Sequence, residues 1–155
     1  MDQFMERAVE LAAENVRDGG EPFGAVLVKN DKQVAEGINE LHQRFDVTAH
    51  AEIQAMRKAQ KMMHSHELKN YTMYASGEPC PMCLTAMYFA GIDTVYYCAS
   101  SEDAVDADLG KAKNIYEELK KPKAERQMDI IHMPLKEGQE NPMQLWKVKR
   151  SRRIF

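Results

Sequence analysis

Apolar residues recur along this chain with two alternating periods, one near 3.6 and one near 2. That alternation is the pattern of helices layered on a sheet. Phe4, Ala8, Leu11, Ala12 and Val16 fall on one face of an opening helix, which Gly19-Gly20 should end and Pro22 should keep from resuming. Ala25 to Lys29 and Val34 to Gly37 read as two strands around Asn30-Asp31-Lys32, residue types that suit a hairpin turn, so the sheet should begin antiparallel. Thr48 is placed to cap a second helix from Ala49 to about Met62. Tyr71 to Ser76 reads as a third strand, and Cys80 to Ala90 as a third helix stopped by Gly91. Thr94 to Ala99 is a fourth strand, Asn114 to Leu119 a helical stretch, Asp129 to Met133 a fifth strand, and Asn141-Pro142 opens a final helix carrying Leu145, Trp146 and Val148.

Composition narrows the class. At 155 residues, 44% hydrophobic and 29% charged, the chain fits one compact domain spanning 1–155, with no repeat or low-complexity tract. The start, Met1-Asp2-Gln3-Phe4-Met5-Glu6, lacks the basic segment and apolar run of a signal peptide, and no stretch is long enough to span a bilayer. A soluble, cytoplasmic protein is expected. A net charge of −3 argues against extended nucleic-acid binding; only Lys147, Lys149, Arg150, Arg152 and Arg153 form a local basic cluster, which reads as a solvated terminal helix. The eleven methionines scatter without forming one face and read as core filler.

The chemistry is concentrated at two places, His50-Ala51-Glu52 and Pro79-Cys80-Pro81-Met82-Cys83. A structural zinc site is closed by four protein ligands, whereas a catalytic one uses three and leaves a position open. His50, Cys80 and Cys83 make three, and Glu52 is left as a carboxylate able to move protons. Cys80 and Cys83 lie one helical turn apart and so face one ion. The amides and positive dipole end at the start of their helix favour thiolate over thiol. Each motif taken singly has a plainer reading. Cys80-Pro81-Met82-Cys83 alone also fits a thiol redox pair. A closed structural zinc site would need Cys98 as a fourth ligand, yet Cys98 sits in the apolar run Val95 to Ala99, where a free cysteine serves as a small hydrophobe. His42, His64, His66 and His132 read as surface or second-layer residues.

Together the two motifs resemble the zinc-dependent cytidine and deoxycytidylate deaminase superfamily, whose signature is His/Cys-x-Glu followed by Pro-Cys-x-x-Cys. The likeness runs through Pro22-Phe23-Gly24-Ala25-Val26, Asn39, Thr48-Ala49-His50-Ala51-Glu52 and Glu78-Pro79-Cys80-Pro81-Met82-Cys83. It implies a three-layer α/β/α sandwich with a five-stranded mixed sheet, one Zn²⁺ per subunit where the second and third helices begin, and hydrolytic deamination with Glu52 shuttling protons.

Within the superfamily the chain is most similar to the short bacterial guanine deaminases, on its Pro-Phe-Gly-Ala-Val segment, Lys121-Pro122-Lys123-Ala124-Glu125-Arg126 and the terminal helix with Trp146. That resemblance implies conversion of guanine to xanthine and ammonia. Asn39 would bond the base edge, the Ala51 amide would meet the carbonyl, and Phe23 would stack on the ring. It also implies a homodimer exchanging C-terminal segments, about 140–155, so that Phe155 caps a partner's pocket. Guanine deaminases of this type carry an acidic, Phe-rich loop after the fourth strand. Here that place holds Ala107-Asp108-Leu109-Gly110-Lys111-Ala112-Lys113, and the resemblance implies that Asp108 would substitute for the acidic residue. A tRNA adenosine deaminase of the same fold, a deaminase acting on cytosine, cytidine or guanosine, and a zinc-stabilised scaffold without turnover are the alternatives. The intact Glu52 speaks against the last.

Overall fold

The computed structural model describes residues 2–153. They divide into two compact units, one reaching to Lys120 and a second from Lys121 onward. In the first, a four-stranded sheet runs in the order β2-β1-β3-β4, with β1 (Gly24–Lys29), β2 (Lys32–Ile38), β3 (Thr72–Gly77) and β4 (Thr94–Ala99). β1 is antiparallel to both β2 and β3, while β3 and β4 are parallel and joined through a helix, as parallel neighbours require. The β1–β2 turn has both Asn30 and Asp31 at positive φ, 51° and 59°, the backbone that a tight two-residue hairpin needs and that these residue types tolerate.

Side-chain alternation along the central strands builds two apolar layers. Val26 and Val28 point to α1 (Gln3–Arg17) and pack with Met5, Ala8 and Leu11. Ala25, Leu27, Met73 and Ala75 point the other way, toward α3 (Ala51–Met63) and α4 (Pro81–Ala90). The result is helix, sheet, helix. Two glycines let the layers approach at backbone distance: a Cβ on Gly24 would fall 2.4 Å from the Ala8 carbonyl of α1, and one on Gly37 would fall 2.2 Å from the Ala51 carbonyl of α3. Burying Leu27, Leu68 and Met73 completely stabilises the fold by about 2 kcal/mol each.

Several expectations shift. The sheet has four strands among the described residues, not five: Asp129 to Met133 forms no ladder and leaves Ile131 and Met133 exposed. Its apolar, β-branched composition measures fitness for a pleated, half-buried surface, and that fitness yields a strand only where a neighbour supplies hydrogen bonds. Val16 is exposed, and Asn15 takes its place on the buried face of α1. α3 begins two residues later than the Thr48 cap suggests, because Thr48 turns its hydroxyl onto Asp46 and leaves His50 as the N-cap. The short α2 (Leu41–Arg44) and α5 (Ser101–Asp106) were invisible to a periodicity that needs several turns, and α6 is longer than expected, Lys111–Lys120. In the second unit a single 3-10 turn, Lys123–Glu125, precedes α7, Pro142–Arg153. No helix among the described residues is long and apolar enough to cross a membrane.

Candidate metal centre

Two helix starts meet at one point. His50 is the N-cap of α3 and Cys80 the N-cap of α4, whose first helical position is Pro81, a residue that loses nothing there by lacking an N–H. Cys83, one turn on, is buried and donates its backbone N–H to the Cys80 sulfur at 3.5 Å. His50 Nδ1 lies 3.5 Å from each of the two sulfurs, and all three donor atoms sit within 4.8 Å of one another. Bonds of about 2.3 Å to sulfur and about 2.0 Å to nitrogen at tetrahedral angles separate such donors by about 3.5 Å, so this set fits a zinc ion without rearrangement. Cys98 is exposed on β4 and lies outside the cluster, which disposes of the closed four-ligand site among the described residues.

The electrostatics show how tightly the groups are coupled. The Cys83 thiol hydrogen-bonds to Cys80 and, with His50 and the Cys83 amide, draws Cys80 down to about 4 despite burial. The Cys80 thiolate and burial hold Cys83 far above the usual thiol range. The hydrogen bond to Cys80 raises His50. Without metal, then, the pair keeps a proton that a cation must displace. Glu52, one residue beyond Ala51 and only 6% exposed, is raised by desolvation, so it can hold a proton nearer neutrality than an ordinary carboxylate.

A shell of hydrogen bonds fixes the segment that leads into His50. Asn15 Nδ2 donates to the carbonyls of Glu21 and Asn39, and the Asn39 N–H donates to Phe23 O. The Glu40 N–H donates to Ala49 O at 2.9 Å. Asp46 accepts from both the amide and the hydroxyl of Thr48, and Arg57 Nη2 donates to that hydroxyl. Asn39 is buried, and its Oδ1 accepts from the Leu41 amide. Phe23 lays its ring over Gly77, at the end of β3 just before the cysteine loop. Ala51 is buried in the first turn of α3, whose amides have no partner within the helix. Asp108 is exposed in the turn between α5 and α6, in the left-handed region at φ 61°, and Phe155 lies outside the described residues.

Sequence reasoning overlooked two groups around the cluster. Asn15 was legible in principle, as a polar residue on an otherwise apolar helical face. Tyr116 was not, since its hydroxyl donates at 2.7 Å to a backbone carbonyl, Pro79 O, on a loop distant in the chain. Burial and the nearby Cys80 push Tyr116 up to about 12, so it stays a donor at any working pH.

Residues 1–99 match the family model of the cytidine and deoxycytidylate deaminase zinc-binding region. The guanine deaminase of Bacillus subtilis is 43% identical over 147 residues, covering 94% of this chain and 93% of that protein. Its X-ray structure superposes with a TM-score of 0.87 at 42% identity, over 96% of this chain and 95% of that one. The tRNA-specific adenosine deaminase of Agrobacterium fabrum is 40% identical over 95 residues, 59% of this chain and 62% of that protein.

Proposed function

We propose that this chain, which belongs to the cytidine and deoxycytidylate deaminase zinc-binding family, hydrolyses guanine to xanthine and ammonia. The observation that carries the substrate is identity sustained over the full length. The guanine deaminase of Bacillus subtilis is 43% identical over 147 residues, whereas the tRNA-specific adenosine deaminase of Aquifex aeolicus, which also matches nearly the whole chain, is 26% identical over 150. Substrate discrimination in this fold comes from contacts to exocyclic groups and from pocket shape, so the segments outside the metal loops decide it.

His50 Nδ1, Cys80 Sγ and Cys83 Sγ would hold a zinc ion, which would supply Lewis acidity that lowers the pKa of the attacking water. The protein's own groups do the rest. Glu52 Oε would take one proton from the attacking water and give it to the ring nitrogen, then take the second from the hydroxyl now on the base carbon and give it to the amine, which leaves as ammonia as the carbonyl forms, a role that its raised proton affinity suits. Asn39 Nδ2 and the Ala51 amide hold the base edge, and the Phe23 ring offers its face to the purine. Asp108, in the turn between α5 and α6, would contact the purine in place of the acidic loop of other guanine deaminases. Burial of Glu52, Ala51 and Cys83 keeps bulk water from competing for the proton transfers.

A cytoplasmic homodimer with exchanged C-terminal segments, about 140–155, belongs to the same reading, with Phe155 capping a partner's pocket. It is supported by Met143 and Trp146, which are 75% and 57% exposed in the single chain. Sedimentation showing only monomer at micromolar concentration would remove it.

The decisive experiment is mass-spectrometric product identification, with ammonia release, for zinc-loaded protein supplied with guanine, guanosine, adenine, cytosine, cytidine and a tRNA anticodon stem-loop. Xanthine from guanine is expected. Turnover of the stem-loop with guanine untouched would move the function to tRNA and give the basic residues Lys147, Lys149, Arg150 and Arg152 a phosphate-contacting role.

A further inference from the structure

The ligand loop of the metal centre is gripped from outside the segment that the family model matches. Glu78 and Pro79 connect β3 to Cys80, and each is tied to the region after residue 99. The Glu78 carboxylate accepts from Ser101 at the start of α5, through both the hydroxyl and the backbone N–H, the latter at 2.8 Å. Pro79 O accepts from Tyr116 of α6 at 2.7 Å. The Glu78 N–H closes the same stretch onto Ala99 O at 2.8 Å. Proline is the reason the grip is informative. Pro79 and Pro81 flank Cys80 and carry no N–H, so this stretch has few donors of its own with which to fix its position. Its carbonyls and the Glu78 side chain are the remaining handles, and α5 and α6 occupy two of them.

We propose that α5 and α6 act as a brace that sets the Cys80–Cys83 loop at metal-binding distance from His50, with Tyr116 as the positioning residue. The brace also gives the α5–α6 turn a fixed address. Asp108 lies on the chain between the two clamps.

The inference rests on reading His50, Cys80 and Cys83 as a zinc centre, and its test separates the two. Wild-type, Tyr116→Phe and Ser101→Ala proteins are loaded with zinc. Stoichiometry is measured, transfer of zinc to a chromogenic chelator is timed, and melting is recorded with and without metal. Tyr116→Phe is expected to bind one zinc and release it on the order of tenfold faster, the lower end of the effect of groups that orient metal ligands. Its melting temperature should fall in the zinc form and move little in the metal-free form, and kcat should fall with KM nearly unchanged. Ser101→Ala should act in the same direction and more weakly, because the Ser101 amide still bonds Glu78. That second variant decides the matter should Tyr116→Phe not fold. Wild-type release rates, or equal loss of melting temperature with and without zinc, would overturn the brace. A wild-type protein that takes up no zinc would overturn the centre itself.

Discussion

Gly37→Ala turns the contact between β2 and α3 into a direct measurement of how closely the catalytic helix must sit. The added methyl would lie 2.2 Å from Ala51 O, 2.7 Å from Ala55 N and 3.0 Å from Gln54 Cβ, all on α3. Two of the three are backbone atoms, which no rotamer change can move aside. Ordinary contact distance requires the strand and helix to separate by about 1 Å. Overpacking of this kind costs about 2 kcal/mol, which for a chain of this size lowers the melting temperature by roughly 4–8 °C. The consequence for turnover should exceed the one for stability. Ala51 sits between His50 and Glu52, so the displaced atom is in the first turn that carries the proton shuttle, and a misplacement of about 1 Å can cost about 10²-fold in rate. Calorimetric melting of the zinc-loaded variant and kcat/KM for guanine measure both. Wild-type values in both assays would refute the argument that Gly37 sets the seat of α3.

Glu52→Gln should retain one zinc per chain and lose about 10²- to 10⁴-fold in kcat; unchanged turnover would sink the shuttle role. Zinc affinity should climb by at least tenfold per pH unit between about pH 5 and 7, because binding must displace the proton held on Cys83 and any held on His50, and a flat competition titration would contradict the coupled thiols. The Arg7 hydrogen bonds hold Glu36 below the usual carboxylate range and join α1 to β2. Its contribution is therefore complete above the unfolded carboxylate value, near 4, and disappears as pH falls through the lower folded value. Wild type should accordingly lose more stability than Glu36→Gln on going from pH 6 to pH 3, and parallel denaturation curves across that range would rule the linkage out.

The strands were readable because alternation is a local signal: Ala25 and Leu27 against Val26 and Val28 need no knowledge of what covers either face. The ligands were readable because metal chemistry restricts residue type. Helix starts were less so. Thr48 is a good cap by composition, yet Asp46 captures its hydroxyl, and competition between two side chains for one turn is decided by geometry rather than by propensity. Asp129 to Met133 failed for a different reason, since a strand is a property of a pair. Asn39 sits where a turn asparagine would and does cap the Leu41 amide; its burial and the Asn15 bond to its carbonyl depend on a packed helix that the local sequence does not show. Tyr116 could not be found at all, because its partner is a carbonyl that every residue possesses.

The order in which the chain is made gives the clamps at Ser101 and Tyr116 one more consequence. Chains emerge N-terminus first and begin to organise as they do, so His50 and Glu52 are available before Cys80 and Cys83, and all four before the residues that hold the cysteine loop in place. On the proposed brace, a nascent chain would pass through a stage at which it captures metal loosely and still exchanges it, and a chain truncated before Tyr116 would give up zinc faster than the full chain.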